Sequence, residues 1–574
     1  MFDALFTTTT EYKKLSHALS GKGACALFGL PASGRAQVYA ALCRQLDKPL
    51  CIVTPGEAEA TRFAADLNTL GIPAAVFPAR DYVLRPIEGT AREYEYRRLA
   101  VLGELVGGRL RAVAVPAEAL TQFTTPKEDF CANTRTLHAG DTLLRDDLLA
   151  ALFGAGYTRR AQVDGPGQFS VRGDIVDIFA PDQKMPVRME FWGDEIDTLH
   201  TFDLTTQRRE DAIDKFYLSP AREVLFGKPA DAAEQLRAFL AKQRGKKKTA
   251  MADCMAADLD LLDGGAVPVN MDKYLAVRYP HPATVLDYFD DPILVAEEPA
   301  SIREADRATA YRRGEELKSL ILDGVLCAGL DNLYADPSYL WSKTGHYRTI
   351  CAENFARSMP DQPLKDIINA PAHTLPAWNG EVAGLLEDLK PLCDAGYTVT
   401  LLAGTDRAAA GLARDLRDKG ILVTTDAAAA PAAGLVQVLA GHLSTGCEFP
   451  FAKYALLTGR AFGETSSQKK KRKKAKDALN SLTEITPGDL VVHQNHGIGR
   501  YAGIQRMAVQ GVTKDYLRIE YDKKDVLYVP VTQLDLLSRY TAPGDEEKVK
   551  LAKLGGAEWQ RTRAKVKKAT EEMA

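Results

Sequence analysis

Three features of the sequence predict a multidomain α/β architecture. Short β-branched runs alternate with amphipathic helical stretches over roughly the first 120 residues, the rhythm of a parallel sheet flanked by helices. A turn-rich block of alternating apolar and polar residues then interrupts that rhythm, and reads as an inserted α+β module. A dense group of strand-forming runs follows a basic stretch near the end of the chain. The expected fold is therefore an α/β unit carrying an insertion, a further small α/β unit, and a small C-terminal β-barrel followed by a helix.

Length and composition bound this picture. A chain of 574 residues holds about three to five domains of ordinary size. Its 46% apolar content suits globular cores, and 26% charge sums to a net −3. A sequence-independent nucleic-acid binder carries more positive charge, so any DNA contact must be local. Nine cysteines occur without a C-x-x-C pair, which fits free thiols in a reducing compartment. The opening MFDALFTTTTEYKKL lacks the apolar core of a signal peptide. No run approaches the roughly 18 apolar residues of a membrane span, so a soluble, cytoplasmic and monomeric protein is expected.

The front of the chain has the layout of a phosphate-binding loop. Residues 24–28 (ACALF) form a strand, 29–36 (GLPASGRA) a glycine loop, and 37–46 a helix. Gly29 and Gly34 keep the G-x-x-x-x-G spacing. Arg35 stands where a lysine would reach the β- and γ-phosphates, and Ala36 where a hydroxyl would hold Mg²⁺. The arginine fork is no substitute for a compact ammonium. The loop is thus a degenerate P-loop, with no hydrolysis expected and no catalytic, cofactor or metal ligand assigned. Strands at Leu50–Thr54, 75–77 and 111–115 and helices at 57–70 and 91–106 continue the unit. Residues 292–298 (PILVAEE) resemble an acidic ATPase strand whose first acid has become Ala296.

The insertion contains a helix at 144–153, then strands through VRGDIVDIF, and two more at 186–192 and 195–202 joined by Gly193-Asp194 as a tight turn. Arg159, Arg160 and Arg172 are its conspicuous cations, which taken alone read as solvated surface charge. Strands at 398–403, 421–424, 434–440 and 453–457 and a helix at 407–419 make the second α/β unit, for which the sequence supplies no role. Residues 468–476 (QKKKRKKAK) then concentrate positive charge in Lys469, Lys470, Lys471, Arg472, Lys473 and Lys474. Such a run is either a solvated linker or a salt-sensitive contact with DNA phosphates, and the two are compatible.

From Pro487 to Tyr540 the chain reads as strands at Leu490–His493, 499–507, 515–521 and 526–531, as in an SH3- or Tudor-like barrel. Residues 522–525 (DKKD) suit a hairpin loop, Gly497 and Gly499 flank a bend, Gly503 and Gly511 bracket a strand, and a short helix follows from Thr532. His493 and His496 lie three apart, but no neighbouring residue offers a third metal ligand, so structural histidines are expected. Beyond Glu546 the pattern is helical and runs to Ala574 without a capping residue, as in a chain that continues.

These residues carry a family resemblance. GDLVVHQNHGIGRYAGI and DYLRIEYDKKDVLYVPVTQLDLLSRY look like the RNA-polymerase-interacting domain of bacterial transcription-repair coupling factors, which is related to the CarD regulators. VRGDIVDIF with PVRMEFWGDEIDTLHTFDLTTQR is similar to the UvrA-docking domain of UvrB, and LDYFDDPILVAEEP resembles the UvrB segment bearing its acidic ATPase motif. The resemblance divides the chain into 1–122 and 213–345 as a UvrB-like fold, 123–212 as the UvrA-binding insertion, 346–465 as a small unit of unknown role, 466–484 as a basic linker, 485–545 as the polymerase-binding barrel, and 546–574 as the start of a helix leading to a motor. It implies RNA polymerase, through its β subunit, and UvrA as partners, and double-stranded DNA, ATP and Mg²⁺ as business of the family's motor. It implies UvrA contacts at Arg159, Arg160, Arg172 and Phe179, with Ser170 where UvrB proteins often carry another arginine. It implies polymerase contacts at Ile504, Arg506 and Met507. Two alternatives stand beside it: a helicase-like ATPase in its own right, and a stand-alone CarD-type regulator.

Overall fold

In the computed structural model of the chain, residues 7–86, 92–355, 363–378, 381–430, 432–459, 485–494, 496–509, 512–522, 525–530, 536–540, 551–553 and 559 are described. The first unit supplies β1 (Gly23–Phe28), β2 (Leu50–Thr54), β3 (Ala74–Val76) and β4 (Ala112–Pro116). The chain leaves this sheet for β5 (Arg135–His138), β6 (Thr158–Arg159), β7 (Gln168–Arg172), β8 (Ile175–Phe179), β9 (Val187–Trp192), β10 (Glu195–Phe202), β11 (Arg209–Ala212) and β12 (Lys215–Leu218). It returns through β13 (Ile293–Glu297), β14 (Arg348–Glu353) and β15 (Leu364–Asn369).

The first sheet has the order β15-β1-β14-β13-β2-β4-β3, with every pairing parallel. Strands such as β2 (LCIVT) are buried at all positions, because helices cover both faces of a parallel sheet. One face packs on the helices Ala32–Leu46 and Glu57–Thr69. The other packs on Glu93–Val106 and Pro299–Leu322. Gly29 closes β1 at φ +87°, and a Cβ there would lie 3.0–3.1 Å from Asn369 and Ala370, so both conformation and space demand glycine.

The insertion is a six-stranded sheet, β11-β10-β9-β8-β7-β6, antiparallel except where β6 meets β7. Gly193-Asp194 forms the expected two-residue turn, with Trp192 facing Glu195 across it. β5 and β12 pair as a separate ribbon, so the chain past 212 is still engaged with the start of the insertion.

The second α/β unit contributes β16 (His373–Leu375), β17 (Thr398–Leu402), β18 (Val423–Thr424), β19 (Val436–Leu439), β20 (Gly446–Phe449) and β21 (Tyr454–Thr458), ordered β16-β20-β21-β17-β19-β18. Its β20 and β21 side chains Cys447, Phe449, Tyr454 and Leu456 belong to the same apolar core as Tyr39 and Phe63 of the first unit. The two units are thereby packed into one body on that side.

The last strands are β22 (Leu490–His493), β23 (Gly497–Val509), β24 (Val512–Glu520), β25 (Val526–Pro530) and β26 (Leu537–Arg539), an antiparallel sheet in the order β25-β24-β23-β22-β26. Gly503 does not end a strand. It lies inside β23 at a register shift, with φ +109°, where a bulge needs a residue without Cβ. Leu537–Arg539 is a strand, and the start of the short helix expected from Thr532 lies outside the described residues. Residues 551–553 are extended as well, not helical: the Ala552 amide donates to Ile498 O and its carbonyl accepts from Asp522 N. Backbone pairing with the sheet outweighs their helical pattern. No described helix is long and apolar enough to cross a membrane.

Candidate functional site

The glycine loop is the first place the sequence points to, and its own side chains fill it. Arg35 is 2% exposed. Its Nε lies 3.1 Å from Glu297 Oε2, and its Nη1 donates to Glu298 Oε1 at 2.8 Å. Tyr39 OH donates to Glu297 Oε1 at 2.5 Å. Burial pushes the Glu297 carboxyl above its usual range, against the pull of Arg35 and Tyr39. Burial opposes the charge on Arg35, yet Glu297 holds its pKa above the ordinary arginine value. The acid next to Ala296 has thus become the partner of the arginine in the lysine position.

A neighbouring segment covers the start of the same helix. Ser33 Oγ and Thr445 Oγ1 are 2.8 Å apart, and a Cβ on Gly34 would come within 3.0 Å of Cys447 Sγ and 3.3 Å of the Phe449 ring. Residues 442–449 are pinned there from the next helix: Asp66 accepts from the Ser444 amide and hydroxyl at 2.8 and 2.7 Å, and Thr69 Oγ1 donates to His442 O. The second α/β unit, which lacked a role in the sequence, is the lid on this loop.

The insertion presents the opposite situation. Arg159 and Arg160 are exposed. Arg172 is half-exposed and donates to Asp177 Oδ2 at 2.5 Å. Asp177 is buried, and Arg188 clasps its other side through Nε at 2.7 Å and Nη2 at 2.9 Å. The carboxylate bond to Asp177 raises the Arg188 pKa, and the Arg188 guanidinium lies 4.7 Å from the centre of the Phe202 ring. Phe179 is 6% exposed and packs with Val163, Phe202 and Leu204. As a correction to the expected contact set, it braces the sheet rather than lining its surface.

The turns after β7 and β9 lie together, since Phe191 N donates to Asp174 O at 2.9 Å. Beside them Trp192 is 83% exposed. Sequence reasoning missed this residue, because strand alternation alone leaves an indole at a strand end indistinguishable from a core aromatic. An exposed tryptophan beside the turn that follows the exposed Arg172 is the composition of a protein-docking patch.

On the C-terminal sheet, Ile504 is 43% exposed and pairs with Leu517. Arg506 and Met507 lie on β23 opposite Asp515 and Lys514. The basic residues Lys469, Lys470, Lys471, Arg472, Lys473 and Lys474 lie outside the described residues. His493 and His496 gain a third neighbour that no local motif could announce. Glu93, 403 positions away from His496, accepts from its Nε2 at 3.0 Å. Burial drives His493 down to about 4. Burial also opposes the Glu93 charge, but the His496 hydrogen bond and both rings hold its carboxyl at about 2.

A family model of the UvrB interaction domain matches residues 136–224, which takes in the β5–β12 ribbon as well as the six-stranded sheet. A model of the CarD-like/TRCF RID domain matches residues 485–541. A transcription-repair-coupling factor of Bacillus subtilis is 29% identical over 563 residues, covering 96% of this chain and 48% of that protein. Those of Staphylococcus haemolyticus and of a Staphylococcus aureus strain are 28% and 26% identical, each covering 95% of this chain and 47% of the relative. The chain is similar to transcription-repair-coupling factors. It spans about half the length of the coupling factors it matches. The two matched segments contain Arg159, Arg160, Arg172 and Trp192 in one and Ile504 in the other, all exposed.

Proposed function

We propose that this chain is a scaffold of transcription-coupled excision repair, holding a stalled RNA polymerase at one end and UvrA in the middle. The observation that carries this reading is the pairing of a UvrB interaction domain with a CarD-like domain in one chain. Arg159, Arg160, Arg172 and the neighbouring Trp192 are the proposed UvrA face. The C-terminal sheet, read as an SH3- or Tudor-like barrel, is the proposed polymerase grip, through the β subunit, with Ile504, Arg506 and Met507 on the strand that meets it. Edge strands of such a sheet can extend pairing across an interface.

The glycine loop is proposed to hold no nucleotide, since Arg35 is already ion-paired and residues 442–449 cover the helix start. The first α/β unit then acts as a frame. ATP-driven movement along double-stranded DNA, with its Mg²⁺, is assigned to coupling-factor segments that this chain does not span, and the basic residues 469–474 to an auxiliary phosphate contact. The test is co-purification with each partner. Ile504→Glu should remove polymerase and keep UvrA, whereas Arg172→Glu combined with Trp192→Ala should do the reverse. Loss of both partners in either variant would remove the two-site reading.

A further inference from the structure

The two rings at the end of β22 and the carboxylate of Glu93 make a donor set that the proposed scaffold role does not use. One nitrogen from each imidazole and one Glu93 oxygen all lie within 4.8 Å of one another. His496 Nε2 and Glu93 Oε1 are 3.0 Å apart, and the ring centroids are 4.7 Å apart. Ligands held about 2.0–2.2 Å from a tetrahedral zinc ion sit roughly 3.3–3.5 Å from each other, so small movements would bring this set to that spacing. The second Glu93 oxygen, Oε2, is buried and has no hydrogen-bond partner among the described residues.

Rigid elements hold the three groups. Glu93 is in the first turn of the helix Glu93–Val106, and His493 ends a strand with no exposed surface. Next to His493, Gln494 O accepts from the Trp559 indole at 2.9 Å. Gly497 follows at φ +81°, and a Cβ there would meet the Trp559 ring at 2.8 Å.

We propose that Glu93, His493 and His496 form a binding site for a zinc-type divalent transition metal that clasps the C-terminal sheet to the first α/β unit. Two imidazoles and one carboxylate suit Zn²⁺, Co²⁺ or Ni²⁺, whereas Mg²⁺ and Ca²⁺ take oxygen ligands. Three protein ligands leave a fourth position for water. The half-buried His496, with 27% of its side chain exposed, gives that position access to solvent. The ion would join residues 403 positions apart and fix the orientation of the C-terminal sheet against the frame.

The experiment is a Co²⁺ titration of the full chain after chelator treatment. The expected result is one equivalent bound, with visible d–d bands of a nitrogen- and oxygen-ligated ion and no thiolate charge-transfer band. That second criterion excludes binding by the nine cysteines. Glu93→Gln and His496→Gln should each weaken binding at least tenfold with unchanged far-ultraviolet circular dichroism, while Cys131→Ser should bind as the wild type does. Absence of stoichiometric binding, a thiolate spectrum, or wild-type affinity in both ligand variants would overturn the site and leave a plain His–Glu hydrogen bond. Should either variant fail to fold, the wild-type stoichiometry and spectrum decide alone.

Discussion

Arg35 stands where a phosphate-binding lysine would be and Arg172 where family resemblance puts a docking contact, and the structure gives them opposite surroundings. Arg35 lies under a covering segment, 3% of its side chain exposed, between Glu297 and Glu298. Arg172 has 46% of its side chain exposed at the tip of a two-stranded turn, tied to Asp177. A buried arginine whose partners are the chain's own acids is a structural tie, because any ligand would have to displace them. An arginine whose guanidinium bonds one buried acid, with nearly half of its side chain open to solvent, remains accessible. Loop spacing picked out Arg35 and family resemblance Arg172, and the two differ in burial.

The largest expected effect breaks the closed side of this contrast. Arg35→Ala leaves Glu297 buried without its counter-charge and should cost about 3–5 kcal/mol in urea unfolding. Arg35→Met with Glu297→Leu should recover most of that loss, as apolar replacement of a buried pair commonly does. A loss below about 1 kcal/mol in the single variant would mean that the network does not hold the loop.

Asp177→Asn tests the anchor of the open side. It strips Arg188 of a charged partner inside the sheet and should cost about 2–3 kcal/mol, measured the same way. Asp306 sharpens the rule that buried acids need strong partners. Burial raises its carboxyl to about 6 from 3.8, with only partial relief from Arg313. The folded state therefore disfavours its charge: the cost is absent below about pH 4, grows between about 4 and 6, and is complete above. Asp306→Asn should stabilise the chain by about 1–2 kcal/mol at pH 8 and leave it unchanged at pH 3.5, read from paired denaturation curves. The smallest stability effect belongs to Arg172→Glu, under about 1 kcal/mol, since the residue sits near the surface.

Much of the architecture was legible in the sequence. Leu50–Thr54 and Leu490–His493 carry enough β-branched residues to be placed to the residue, and Gly193-Asp194 gave its turn away. The departures share one cause, which is contact with distant chain. Residues 551–553 have a helical pattern, but β23 and the 522 turn offer them backbone partners. Gly503 looks like punctuation and is a bulge. At the candidate sites, the loss of Lys and Ser/Thr at positions 35 and 36 was visible, whereas the acids that capture Arg35 lie about 260 residues away. The lid at 442–449, the exposure of Trp192 and the approach of Glu93 to His496 all depend on tertiary proximity that no local pattern encodes.

The central claim, an open docking face on a closed frame, is tested most directly by titrating UvrA against the purified chain with polymerase, DNA and ATP all omitted. A face already in its binding form has no competing conformation to overcome, so wild type should bind under these conditions. Arg172→Glu should bind at least tenfold more weakly, because it turns an attraction into a repulsion across the interface. Equal affinities for wild type and Arg172→Glu would show that Arg172 is surface charge without a docking role, and absence of binding by wild type would contradict the account outright.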